Sequence, residues 1–144
     1  MVVSGGEANN TDLNDMWALD LDRKVWFRME LMTSLFTSKR FHTVSTLSKN
    51  RVIAFGGCHS EYVHLNEVNI IDLSAFVESE GGSCQVTCSK LDFSRSPHGF
   101  GQVPSTRWGH AASVYDDKLY ILGGRNNDDI NDLHCFDILK QRWT

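Results

Sequence analysis

The chain has 144 residues, 41% of them hydrophobic and 22% charged, with a formal net charge of −4 at neutral pH. This is the usage of one globular domain; it excludes a disordered or fibrous chain and offers no basic footprint for nucleic acid. No apolar run approaches the roughly 20 residues needed to cross a bilayer, and the start MVVSGGEANN lacks the basic and apolar regions of a secretory leader. No nucleic-acid or membrane partner is expected, and the expected location is cytoplasmic or nuclear. Cys58, Cys84, Cys88 and Cys135 are few and irregularly spaced, and are read as buried thiols rather than a disulfide framework.

In chain order, the apolar run MVVS leads into Gly5-Gly6, followed by Leu13-Asn14-Asp15, then Asp20-Leu21, then Trp26. The same order returns in TSKRFHTVSTLSKNRVIAFGG, which carries Arg40 and His42, a turn at Lys49-Asn50 and Gly56-Gly57. Leu65-Asn66-Glu67 and Asp72-Leu73 follow, but no Trp comes after Asp72. Instead AFVESEGGSCQVTCSKLDF intervenes, so a fourth strand is expected near Cys84–Leu91 and VESEGGS reads as an insertion. A Ser/Pro/Gly-rich connector, SRSPHGFGQVPSTR, holds Ser96-Pro97, a candidate phosphorylation site. The last unit, PSTRWGHAASVYDDKLYILGG, carries Arg107 and His110, a turn at Asp116-Asp117 and Gly123-Gly124, then Ile130-Asn131-Asp132, Asp137-Ile138 and Trp143.

In every unit the Asp lies six residues beyond the Asn, and in two units the Trp lies six beyond the Asp. Apolar runs of four to seven residues, rich in β-formers and separated by polar turns, predict four short antiparallel strands per unit and no amphipathic helix. The second unit shows Arg-x-His where the third shows Arg-x-x-His. The double glycine suits a close-packed turn leaving the second strand, because glycine lacks Cβ and accepts positive φ. The Asn-acid pair is expected to satisfy loop amides where the third strand begins. Trp is expected to fill the wedge between neighbouring units.

Glycine pairs recur after 51 and 67 residues, against a period of roughly 50 for one family of radial blade arrays. These residues resemble kelch repeats. The resemblance implies an all-β fold of kelch-type β-propeller blades, each of four antiparallel strands, in an incomplete ring. Residues 1–33 would form a blade lacking its first strand, and residues 34–94 a full blade with an insertion at about 76–83. Residues 95–103 would be a connector and residues 104–144 a third blade. So few blades cannot close a ring alone. The chain is therefore expected to be a fragment, with a homo-oligomer that completes the ring, or a short isoform assembling with other propeller chains, as alternatives.

In kelch-like propellers the loops joining strands two and three, and the segments entering strand one, form a face that often binds peptides. Here those loops are residues 7–12, 58–64 and 125–129, and the segments are 38–42 and 104–110. By resemblance Arg40, Arg107 and Arg125 point toward that face, with His59, Tyr62, Trp108 and Asn126 as further contacts. Guanidiniums there would suit an acidic or phosphorylated partner; in the alternative reading Arg40 and Arg107 are structural and bond neighbouring carbonyls. His42 and His110 read as buried repeat residues. CHSEYVH offers Cys58, His59, Glu61 and His64 without the paired spacing of a zinc site, and NNDDIND lacks the Gly and distal Glu of a calcium loop. No catalytic residue, metal or cofactor is expected. The resemblance implies a non-catalytic protein-interaction module, such as a ubiquitin-ligase substrate receptor or a scaffold. The alternative it leaves is a metal-dependent propeller enzyme.

Overall fold

The structure is a computed structural model and describes residues 1–32, 36–74, 78–79, 82–91, 93 and 99–144. Ser96-Pro97 and half of the insertion expected at about 76–83 lie outside the described residues. The first unit forms β1 (Val2–Ala8), β2 (Thr11–Asp20) and β3 (Val25–Leu31). The second forms β4 (Thr43–Ser48), β5 (Arg51–Phe55), the short pair β6 (Cys58–His59) and β7 (Val63–His64), then β8 (Val68–Asp72), β9 (Glu78–Ser79) and β10 (Ser83–Leu91). The third forms β11 (Ala111–Tyr115), β12 (Lys118–Asn126), β13 (Asp128–Asp137) and β14 (Arg142–Trp143). No α-helix occurs among the described residues, and none of their helical turns is long and apolar enough to cross a membrane.

The third unit is a four-stranded antiparallel meander, β11-β12-β13-β14. Asp116 and Asp117 both adopt positive φ (50° and 54°) between β11 and β12, the backbone of a two-residue turn whose twist matches the flanking strands. The first two units form one sheet in the order β1-β2-β3-β10-β8-β5-β4. They are joined by their outer strands. Ser83 to Val86 of β10 pair in parallel with Arg28 to Leu31 of β3, after which Thr87 to Leu91 turn to β8 in antiparallel register. One strand thus covers the outer edges of two blades, which would otherwise present unpaired amides.

Among the described residues two apolar cores lie between blades. Met16, Phe27 and Met29 of the first blade meet Val52, Ala54, Ile71 and Cys88 of the second. Ile53, Phe55 and Val68 of the second meet Leu119, Ile121, Phe136 and Trp143 of the third. Alternate residues of β5 therefore serve opposite cores, because successive side chains of a strand point to opposite faces. Both faces of the middle blade are covered, which is why RVIAF reads as an unbroken apolar run rather than an alternating one. Each large aliphatic or aromatic side chain so buried contributes about 1.5–3 kcal/mol.

The structure corrects four expectations. Strands are longer than four to seven residues: β2 and β13 have ten, β10 and β12 nine. In the outer blades the glycine pair is not a turn; β1 and β12 run through it, with a register shift between Ser4 and Gly6 and between Leu122 and Gly124. Glycine absorbs the bulge there while the ladder resumes beyond it. The Trp positions also diverge. Trp143, opposite Phe136, is 1% exposed and packs on Phe55 and Phe136 at 5.4 and 4.8 Å, whereas Trp26, opposite Leu19, is 45% exposed. The face of blade three that carries Trp143 meets blade two, but the same face of blade one has no neighbour among the described residues. In blade two the position opposite Ile71 belongs to Cys88, buried in the first core. The fourth correction concerns the cation ahead of each inner strand, together with the acid of the Asn-acid pair that holds it, and is given with the site.

Candidate functional site

The residues ahead of β4 and β11 are related one for one as Lys39-Arg40-Phe41-His42 and Arg107-Trp108-Gly109-His110. Lys39 N–H donates to Leu13 O at 3.0 Å and Arg107 N–H to Leu65 O at 2.8 Å. Their carbonyls accept from Gly6 N–H (2.8 Å) and Gly57 N–H (2.9 Å). Arg40 forms a bridge with Cys58, as Trp108 does with Arg125. The residues one position further on, Phe41 and Gly109, share a positive φ, 56° and 63°. The counterpart of Arg107 is therefore Lys39, not Arg40, and the spacing to histidine is conserved within the chain with lysine in the cation's place.

This assignment also corrects the role of the Asn-acid pair. Arg107 is fully buried and its guanidinium donates to both carboxylate oxygens of Asp132, to Gly123 O, and to Ser105 O and Oγ. Lys39, also fully buried, donates from Nζ to Asn69 Oδ1 at 2.8 Å and lies 3.7 Å from Glu67 Oε2. The acid of each pair anchors the buried cation of the inner strand, because a charge removed from water requires a partner. In the first blade, which has no such cation among the described residues, Asp15 accepts the indole N–H of Trp17 instead.

The glycine pair and the histidine complete the joint. A Cβ on Gly56 would lie 2.8 Å from Arg107 O and from His110 Cε1 of the next blade, and one on Gly57 would lie 2.7 Å from Arg40 O of its own blade. Both φ values are positive, 63° and 96°. His42 Nε2 meets Ser4 Oγ and His110 Nε2 meets Thr43 Oγ1, each at 2.8 Å. Burial pushes both histidines down to about 4, helped by Lys39 and His110 beside His42 and by Arg107 beside His110. Burial likewise pushes Lys39 down to about 8, opposed by Glu67, while the Arg107 guanidinium holds Asp132 down to about 2. The segment Lys39–His42 is thus structural at its two ends and presents its middle residues outward.

Those middle residues form the candidate interface. The rings of Phe41 and Trp108 are 5.3 Å apart between centroids. Arg40 Cζ lies 5.8 Å from the Phe41 centroid and Arg125 Cζ 5.7 Å from that of Trp108, so two aromatic rings are flanked by two guanidiniums. His64 approaches Trp108 (6.5 Å between centroids), and its Nδ1 meets Asn126 Oδ1 at 2.8 Å, while Asn126 Nδ2 donates to Thr106 Oγ1. Both guanidiniums are ion-paired. Arg40 Nη1 is 2.7 Å from Glu7 Oε2 and 3.5 Å from Asp12 Oδ1, and Arg125 Nε is 2.8 Å from Asp129 Oδ1.

Of the residues singled out from sequence, the fold brings Arg40, Trp108, Arg125 and Asn126 into one run. His59 stands beside it, with Nδ1 2.9 Å from Ser38 Oγ, 3.0 Å from Ser38 O and 3.8 Å from Asp12 Oδ2. Serine and carboxylate address the same ring nitrogen, so this trio is no proton relay, which needs one on each nitrogen. Tyr62 is 87% exposed on the neighbouring loop. Arg107 is inaccessible, its hydrogen bonds spent within the blade. Phe41, Glu7 and Asp12 fall within the stretches 38–42 and 7–12 expected on that face, but nothing in their residue types singles them out. Aligning KRFH with RWGH would have exposed Phe41, since it sits where the sister repeat has glycine. Among the described residues no group of three or more His, Cys, Asp or Glu is arranged to hold a metal ion.

Comparison with known proteins agrees with this architecture. The family model of the KLHDC2/KLHL20/DRC7 Kelch-repeats domain matches residues 1–144, and the chain belongs to this Kelch-repeat family. Such domains serve in general as protein-interaction modules. Among curated relatives, the flagellar outer arm dynein alpha chain of Chlamydomonas reinhardtii is 28% identical over 152 residues, covering 99% of this chain and 3% of its own length. N-(sulfonatooxy)prop-2-enimidothioate sulfolyase of Thlaspi arvense is 26% identical over 152 residues, covering 100% of this chain and 42% of its own length. Protein ral2 of Schizosaccharomyces pombe is 28% identical over 162 residues, covering 99% of this chain and 26% of its own length. The chain thus spans less than half the length of each.

Proposed function

We propose that the chain is a non-catalytic interaction surface that binds a partner protein or peptide through the loop face of its second and third blades, as a ubiquitin-ligase substrate receptor or a scaffold would. The observation that carries this reading is the run Arg40–Phe41–Trp108–Arg125. Phe41 is 55% exposed and holds a positive φ of 56°. An aromatic residue in that region is strained by about 1 kcal/mol or more, and such strain concentrates at binding sites. Paired aromatics with flanking arginines are also the composition of interface centres. The pairing of Arg40 and Arg125 with carboxylates, and the burial of Arg107, weigh against the acidic or phosphorylated partner that the arginines suggested. A cytosolic or nuclear site of action is part of the proposal.

The test places a photo-crosslinking residue at Tyr62, on this face, or at Tyr115, which is 76% exposed on the third blade away from it. A partner crosslinked from Tyr62 and lost on Trp108→Ala supports the reading. Crosslinking from Tyr115 alone, insensitive to Trp108→Ala, contradicts it. The enzyme reading rests on the sulfolyase relative alone and predicts turnover by the purified chain. Mutual closure of open blade faces by two copies rests on exposed Val3, Trp26, Leu122 and Leu133, and predicts a defined dimer in solution.

A further inference from the structure

A cleft of about 860 Å³ opens between the loops of the first and second blades, beside the aromatic run. Its lining includes three carboxylates, Glu7, Asp12 and Glu61, against one guanidinium, Arg40. Phe41 forms one wall and His59 another. Its carboxylates therefore outnumber its guanidinium three to one, although the cleft surrounds an arginine.

The carboxylates are not equally engaged. Glu7 and Asp12 hold Arg40, whereas Glu61 is exposed and takes part in no ion pair among the described residues. Asp12 lies at the floor, its side chain 7% exposed. Its Oδ2 accepts the Ser60 amide, while Oδ1 accepts no hydrogen bond, with Arg40 Nη1 at 3.5 Å. Oδ1 is itself shielded from solvent, so Asp12 acts on an incoming cation through its charge at short range, while Glu61 is the carboxylate open to direct pairing. An incoming anion would instead compete with Glu7 and Asp12 for a guanidinium they already neutralise. The exposed Phe41 ring, held where the sister repeat uses glycine, lines the cleft beside Arg40, and aromatic rings attract cations.

We propose that this cleft takes a lysine or arginine side chain of a partner polypeptide, between the Phe41 ring and the carboxylates of Glu61 and Asp12. The proposal rests on the loop-face reading above and names the chemistry of the partner. It reverses the sign expected from counting arginines, because the structure pairs each of them.

The test is an NMR titration of the ¹⁵N-labelled chain with short Gly/Ser peptides that differ at one central residue: arginine, lysine, glutamate or phosphoserine. Saturable shifts in the amides of residues 38–42 and 58–61 with the arginine or lysine peptide, weakened by raised salt, are expected. Glu61→Gln and Phe41→Gly are each expected to weaken that binding about fivefold. Phe41→Gly is expected to leave the melting temperature unchanged or raised, since glycine accepts the positive φ; this separates a binding role from a packing one. Stronger cleft shifts with glutamate or phosphoserine overturn the proposal, as do basic-peptide shifts indifferent to both variants, or no shift with the basic peptides. Shifts confined to Trp108 and Arg125 also overturn it but leave the loop-face reading standing. Crosslinking from Tyr62 decides that reading independently.

Discussion

Lys39 and Arg107 occupy one position in consecutive blades. Each is fully buried, each lies beside the acid of an Asn-acid pair, and each passes its carbonyl to the glycine pair of the preceding blade. Lysine is the weaker member. Its Nζ is 3.7 Å from Glu67, whereas Arg107 grips both oxygens of Asp132, as a planar fork can and a point charge cannot.

This difference has an alkaline signature. Burial lowers Lys39 in the folded chain to about 8, against 10.5 unfolded. Between those values the unfolded chain binds more protons, so stability rises as pH rises from about 8 toward 10.5. Lys39→Met should remove that rise, measured as the difference between the two urea-denaturation midpoints across the window.

The histidines act in acid. His42 and His110 are lowered to about 4 in the folded chain, chiefly by burial, against 6.5 unfolded. The unfolded chain again binds more protons, so stability should fall as pH drops from 6.5 toward 4. Asp132, held at about 2 by Arg107 against 3.8, adds a separate loss below pH 3.8. Denaturation midpoints of His42→Gln/His110→Gln against wild type should differ in slope only in the upper window.

The glycine joint is tested by two equivalent positions. Gly57 and Gly6 have similar φ, 96° and 107°. A Cβ on Gly57 would meet Arg40 O at 2.7 Å and His42 Cβ at 2.8 Å, while one on Gly6 meets nothing within 4 Å. Gly6→Ala should cost about 1 kcal/mol of backbone strain, and Gly57→Ala about 2 kcal/mol more from the clash. Equal losses would show that the close approach at Gly57 is not what requires glycine.

The two repeat tryptophans should separate as well. Trp143 is enclosed by Phe55, Phe93 and Phe136, so Trp143→Ala should cost about 3–5 kcal/mol. Trp26, half exposed, should cost about 1 kcal/mol on replacement by Ala. Thermal unfolding of both variants reads the difference.

Much of the architecture was legible because repeats compare a sequence with itself. Three of the four glycine pairs, a constant six residues from Asn to Asp, and in two units six more to Trp, were enough to suggest the blades. Hidden features were those in which one repeat departs from another. Lys39 was passed over for Arg40 because both are cations and only burial distinguishes them. Cys88 stands at a tryptophan position that no residue-type pattern marks. The parallel pairing of Ser83–Val86 with Arg28–Leu31 joins segments more than fifty residues apart, and register between such strands depends on packing. Arginine count suggested an anion site, but the Glu7 and Asp12 carboxylates that neutralise Arg40 come from another blade's loop.

Amide hydrogen exchange on the chain with and without a bound partner tests the central claim most directly. Docking on the loop face predicts protection in residues 38–42, 58–64, 104–110 and 125–129, with the outer strand faces unchanged. Protection confined to residues 111–122 and 133–137, with the loops exchanging as in the free chain, would contradict it.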